Sequence, residues 1–246
     1  MAGLLRPAIF IYNECQKLTY RAKHNPEKFF GGGFRYSDLP GKPFEEVVKC
    51  FDLRVKSWFL DRVKRPARGA WFWRMLERFG LRWPHGFQIT ATCCIVIDLL
   101  CQYKHDLLSS RREKYIAYLE ELHPNFKQSI NPPINSIDFR NGQPKQISSL
   151  AEAFYFGFRC GVVHNASIIN YGRISGPDKV PEVIQLRQWG AHGENREVGV
   201  CPEILLECVT EKHNCYIQDL LNKTNSELRQ NFASKFERDF GITLSP

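Results

Sequence analysis

The chain has 246 residues, of which 43% are hydrophobic and 13% aromatic, and a net charge of +8. That apolar content supplies a sizeable core and excludes a disordered polymer, while the basic balance points to an anionic partner such as RNA, DNA or a lipid surface. Nine cysteines without a recognisable signal peptide point to a reducing compartment, so a cytoplasmic location is expected.

In chain order, the first forty-odd residues alternate apolar pieces with breakers, the clearest loops being GGGF at 31–34 and LPGKP at 39–43. A glycine triplet without a following Lys-Ser/Thr is no phosphate loop. Val47, Val48, Phe51, Val55, Trp58 and Phe59 recur at helical spacing, which predicts a helix over 44–64 ended by Pro66 and Gly69. A shorter aromatic helix is expected over 70–79. Residues 54–83 hold nine Arg and Lys against Asp61 and Glu77, with Trp58, Trp71, Trp73 and Trp83 threaded between them. Two main readings stand for this stretch, with a partner or membrane surface as a third. One is an amphipathic helix with solvated bases and core aromatics. In the other, Arg62, Lys64, Arg65 and Arg68 bind nucleic-acid phosphates while the indoles stack on bases.

Residues 86–107 read as a buried helix. Its apolar run at 89–100 is too short to span a bilayer and is interrupted by Asp98, so no membrane partner is expected. An amphipathic helix over 112–123 is stopped by Pro124. Residues 124–146, with Pro132–Pro133 and Asn141–Gly142, read as a loop. Helix resumes over 147–167, where Ser148 or Ser149 can cap and Glu152 suits the first turn. Residues 183–189 and 196–200 alternate like strands about GAHGEN, the pattern of a β-hairpin. Helices over 202–222, opened by Pro202, and 226–241, stopped by Gly241, close the chain. Cys201, Cys208 and Cys215 recur every seven residues, a stripe read as core rather than as a metal site. His105, His123 and His213 have no metal-ligand spacing and read as surface or core histidines.

The segment FYFGFRCGVVHNA at 154–166 is the most informative. It places Arg159 and His164 in an otherwise apolar helix, where an unpaired arginine is costly because it stays charged. Five α-helical residues turn through about 140°, so the two do not centre on one face. Gly157, Cys160 and Gly161 form a small-residue face beside His164 that another helix can approach closely, as across a two-fold axis. Glu152, Tyr155 and Phe156 share the arginine side, with Glu152 too far along the helix for an ordinary neighbour pair. The same Arg-to-His spacing occurs at Arg187/His192 and Arg78/His85, but those stretches contain breakers. Only 159–164 lies in an apolar helix.

FRCGVVHNA resembles the signature helix of the HEPN superfamily (higher eukaryotes and prokaryotes nucleotide-binding), whose mark is Arg, four to six residues, then His. Cys160 follows the arginine where many members carry Asn, Asp or His. The similarity extends over about 86–240. It implies a mainly α fold: a helical bundle of HEPN type over 85–246, with a β-hairpin insertion between the motif helix and the C-terminal helices. The basic, aromatic-rich region 1–84 then packs on or extends that bundle.

The resemblance further implies a metal-independent endoribonuclease needing no cofactor. It would act on RNA as a homodimer, in a toxin or antiviral-defence setting with a cognate antitoxin or regulatory partner. Arg159 and His164 are its catalytic candidates, with Asn165, Glu152 and Tyr155 accessory. The chemistry suits these residue types, since RNA carries its own 2′-hydroxyl nucleophile, histidine titrates near neutrality, and the arginine fork binds phosphate oxygens. Two other classes remain open. One is a non-catalytic module of the same fold serving dimerisation or nucleotide and partner binding. The other is a helical nucleic-acid-binding protein working through 54–83.

Overall fold

The computed structural model describes residues 29–31, 33–68, 85–109, 111–137, 143–165, 168, 171–177, 179–189 and 195–246, with the backbone alone at 29, 65–68, 85, 162–165 and 189. The helix expected over 70–79, together with Trp71, Trp73 and Trp83, lies outside the described residues.

The described chain is mostly helical. It opens with a short antiparallel pair, β1 (Phe29–Gly31) and β2 (Phe34–Arg35), in the stretch read from sequence as a glycine loop. Gly31 sits at φ 133°, and a Cβ there would come within 3.0 Å of the Arg54 backbone. Glycine therefore lets β1 lie directly against α1 (Phe44–Val55). A π-helical turn at Lys56–Leu60 carries α1 into α2 (Asp61–Arg68).

After these come α3 (His85–His105), α4 (Arg112–Leu122) and a 3₁₀ turn at Pro124–Lys127. Residues 124–146 are then not the loop expected from their prolines. Most of them form β3 (Ser129–Ile137) and the start of β4 (Pro144–Ser149), an antiparallel ribbon. The register shifts between Ser129 and Ile134, and Pro132 and Pro133 fall inside that shift, where a strand tolerates residues with no N–H to give.

β4 runs straight into α5 (Leu150–Phe154), which widens into a π-helix at Tyr155–Asn165. A three-stranded sheet follows: β5 (Gly172–Ile174), β6 (Ile184–Trp189) and β7 (Asn195–Val200), with β7 in the middle, antiparallel to β6 and parallel to β5. The two long helices α6 (Pro202–Leu221) and α7 (Ser226–Phe240) finish the fold. Gly241, at φ 70°, stops α7 in the left-handed conformation read from sequence.

The core runs through α1, α3, α6 and α7. Phe51 of α1 packs against Tyr103 of α3 and Phe232 of α7, with ring centroids 4.8 and 5.3 Å apart, and Phe30 of β1 reaches Phe240 at 5.1 Å. Residues before 85 thus share one core with the helices after it. Helix α3 is apolar nearly all round, as suits a helix enclosed by others. By length and composition, Gly86–His105 is long enough to cross a membrane, contrary to the shorter run read from sequence. However, 61% of its apolar window is buried inside the protein.

Burial pushes the Cys94 thiol up to about 12 and the Cys201 thiol up to about 11, which leaves both protonated at neutral pH. The seven-residue cysteine stripe is only partly core. Cys201 is buried, Cys208 half-buried and Cys215 exposed, because a seven-residue stripe drifts about 20° per repeat off the face that α6 buries through Tyr216, Ile217 and Leu220.

The shared core makes a direct expectation. Phe51→Ala should lower unfolding free energy by about 3 to 5 kcal/mol in urea denaturation, the usual cost of emptying a buried phenylalanine site. A loss below about 1 kcal/mol would detach α1 from the core.

Candidate functional site

The candidate site is built where β4 turns into α5. The Ser149 hydroxyl accepts the Glu152 N–H at 3.2 Å, capping the helix. The Glu152 carboxylate reaches back, and its Oε2 accepts from both the N–H and the hydroxyl of Ser148, each at 2.9 Å. Its other oxygen, Oε1, faces Arg112 at 3.5 Å and Lys145 at 3.8 Å. Burial raises the Glu152 pKa, but the Ser148 donors and the two cations outweigh it, and the net shift is downward. Glu152 is therefore a charged cap and ion-pair partner, poorly suited to deliver a proton at neutral pH.

Two turns on, Arg159 answers the cost of its burial. Its Nη2 donates to Asp98 Oδ1 of α3 at 3.3 Å, and the two side chains are only 12% and 13% exposed. The guanidinium carbon also lies 5.7 Å from the Tyr115 ring centroid and 5.6 Å from that of Tyr155. Burial opposes the positive charge, yet Asp98 foremost, with Tyr115, Cys160 and Tyr155, raises the pKa above its already high value. Tyr155 is itself buried, its ring 5.4 Å from Tyr115 and 5.1 Å from Phe156. It orients the arginine from inside the protein.

The helix form changes the relation between positions 159 and 164. In a π-helix each N–H bonds to the carbonyl five residues back, so residues five apart stack as i and i+4 do in an α-helix. The 140° offset calculated for an α-helix does not apply, and the two positions lie on one side of the helix. The side chains of His164 and Asn165 lie outside the described residues.

The small-residue face is used within the chain. A Cβ at Gly157 would meet Tyr171 at 2.9 Å, and the Tyr171 hydroxyl donates to the Ala153 carbonyl at 3.4 Å. The close approach read as an opening for a second helix is made by Tyr171 at this point.

The basic N-terminal stretch divides by use. Arg54 is buried, bonded to the Phe30 carbonyl, with its guanidinium 4.0 Å from the Trp58 ring centroid and 4.7 Å from that of Phe30. Trp58, one of the candidate stacking indoles, is a platform for Arg54. Lys56 pairs with Asp52 at 2.8 Å. Arg62 is exposed and donates to the Ser57 carbonyl at 3.3 Å, while Lys64 stands 4.0 Å from Asp61. Arg65 and Arg68 continue α2, and their side chains lie outside the described residues.

Among the histidines, His213 is fully buried and its Nε2 lies 2.8 Å from Asp52 Oδ1, joining α6 to α1. The Nδ1 of His123 accepts the Asn125 N–H at 3.3 Å as a helix cap. Sequence reasoning missed Asp98 as the arginine's partner, and it missed Arg112 and Lys145. The signal for Asp98 was present: two opposite charges, each stranded in an apolar helix, are candidates for each other.

Removing the Asp98 carboxylate should leave Arg159 charged and enclosed. Asp98→Ala is expected to cost about 3 to 5 kcal/mol in equilibrium denaturation. The Glu152 carboxyl, with its folded pKa held below 4.5, stabilises the fold above that value and loses its contribution as pH falls through the folded pKa. Glu152→Gln should therefore show a smaller drop in unfolding free energy than wild type between neutral pH and about pH 3. No family model, no characterised protein and no solved structure matches this chain.

Proposed function

We propose that the chain is a metal-independent endoribonuclease of HEPN type. The supporting observation is an arginine held charged and oriented by Asp98, at 3.3 Å, one π-turn before the histidine position. A group that is to bind a phosphate must be ionised and fixed in direction, and a carboxylate behind it does both.

In this reading the Arg159 guanidinium binds non-bridging oxygens of the scissile phosphodiester. His164 moves the proton, as base toward the 2′-hydroxyl or as acid toward the departing oxygen. The 2′-oxygen bonds to phosphorus and the bond from phosphorus to the 5′-oxygen breaks. The proton lost by the 2′-hydroxyl is matched by one gained at the 5′-oxygen. The products are a 2′,3′-cyclic phosphate and a 5′-hydroxyl. Two protomers would present their motif helices to one RNA cleft in the cytoplasm. The Gly157 side, filled by Tyr171, takes no part in that seam. A nuclease of this kind needs restraint, so a cognate inhibitory partner and a toxin or antiviral role belong to the proposal.

One observation favours a second reading. An ion pair whose members are only 12% and 13% exposed also suits a clamp between α3 and the motif helix. The protein would then be a non-catalytic module of the same fold that binds a nucleotide or a partner.

Incubation with RNA in EDTA separates the two. The nuclease reading expects cyclic-phosphate ends from wild type, with loss of at least about 100-fold in rate for Arg159→Ala and for His164→Ala. Equal cleavage by all three proteins would remove both residues from the chemistry. Nucleotide-dependent thermal stabilisation with no cleavage would favour the binding module.

A further inference from the structure

Two cations outside the motif converge on the start of the motif helix. Arg112 is the first residue of α4, and Lys145 lies near the beginning of β4. They come from elements distant in sequence, yet both face the same oxygen, Glu152 Oε1, at 3.5 and 3.8 Å. Both also lie over Phe156, with the Arg112 guanidinium 5.1 Å and the Lys145 ammonium 4.4 Å from its ring centroid. The Phe156 ring lies 5.1 Å from that of Tyr155, which the Arg159 guanidinium faces at 5.6 Å, so two touching rings separate this pair of cations from Arg159.

The carboxylate between them shows what the arrangement accepts. Two cations share one carboxylate oxygen, so the arrangement is one that gathers negative charge. Glu152 is anchored independently through Oε2, by the two Ser148 donors at 2.9 Å. It can stay in place as the helix cap while the cations turn to another anion. The Arg112 side chain is 34% exposed and that of Lys145 16%, so solvent reaches both. Phe156 is buried and fixes the two cationic heads against one apolar surface.

We propose that Arg112 and Lys145 form a subsite for a phosphodiester next to the scissile one on the same RNA single strand, an inference that rests on the ribonuclease reading above. The subsite binds the backbone and reads no base. Its contribution is affinity and alignment of the strand over Arg159.

The test measures binding of a 2′-O-methyl RNA oligonucleotide, whose blocked 2′-oxygen cannot attack, by the full chain at a series of salt concentrations. Each phosphate contact on a single strand contributes about 0.7 to the slope of log affinity against log salt. The double variant Arg112→Ala/Lys145→Ala should therefore be shallower than wild type by about 1.4. The charge-preserving pair Arg112→Lys/Lys145→Arg should keep the wild-type slope, which guards against a general folding effect. Glu152→Gln removes the competing anion and should tighten binding several-fold, whereas a purely structural role for the two cations gives no gain.

An unchanged slope in the alanine double variant, no binding by wild type, or no tightening in Glu152→Gln would each overturn the subsite. The ribonuclease reading stands or falls separately, on cleavage of ordinary RNA by the Arg159 and His164 variants.

Discussion

A guanidinium in an apolar helix must find an anion, and the answer to that demand organises the centre of this protein. Arg159 finds Asp98, on a core helix of the fold. The pair ties the motif helix to α3, and α3 is in turn packed against α6 and α7. Tyr115 and Tyr155 then close around the cation with their ring faces. Buried ion pairs return little net stability, because desolvation offsets most of the Coulomb gain, and well-packed apolar residues often do as well or better. The pair is therefore weak evidence for stability in itself, and what it fixes is the placement of the motif helix against α3.

The same device recurs away from the motif. Arg229 is buried, donates to the Leu220 carbonyl at 2.7 Å and to Glu45 at 3.0 Å, and lies 4.1 Å from the Phe44 ring centroid. Lys235 is buried against Asp239, which also accepts from Tyr103. Together with Arg54 and the His213–Asp52 contact, these groups join α1 to β1, α6 and α7. The chain therefore uses charged groups of both signs as internal struts. Apart from Arg54 these struts pair opposite charges, so they leave the net charge of +8 almost unchanged, and the case for an anionic partner rests on where the remaining cations sit.

Most helices were legible because their apolar spacing and their caps agree. Ser149 as a cap, Pro202 in a first turn and Gly241 at a helix end each have a local cause. The β3–β4 ribbon was not legible. Its two prolines read as breakers, and only pairing with residues further along the chain makes that segment a strand. The three-residue parallel strand β5 has the same character, since its partner β7 lies more than twenty residues away. For the site, composition and context singled out Arg159, and helical spacing placed Tyr155 on its side, but Asp98, Tyr115 and the Arg112–Lys145 pair are long-range contacts that no spacing rule encodes. The cysteine stripe shows the converse. Its seven-residue period drifts off the face that α6 buries, so it marked Cys201 as core correctly and Cys215 wrongly.

The π-helix connects the motif's spacing to its geometry. In an α-helix, residues that must act together are three or four apart, and a gap of five turns them away from each other. In a π-helix five is the stacked spacing. A motif with four residues between arginine and histidine is thus matched to the wider helix in which it occurs here. Gly157 and Gly161 fall within the widened stretch, where their low preference for a regular α-helix costs little. Tyr171 packs against Gly157 from outside the helix and bonds back to Ala153 within α5. Backbone form, glycine placement and the tyrosine brace therefore bear on one quantity, the angle between positions 159 and 164. A change that restored regular α-helical winding would separate those positions while leaving the Arg159–Asp98 pair intact. The charge at position 159 and the angle between 159 and 164 are thus set by different residues.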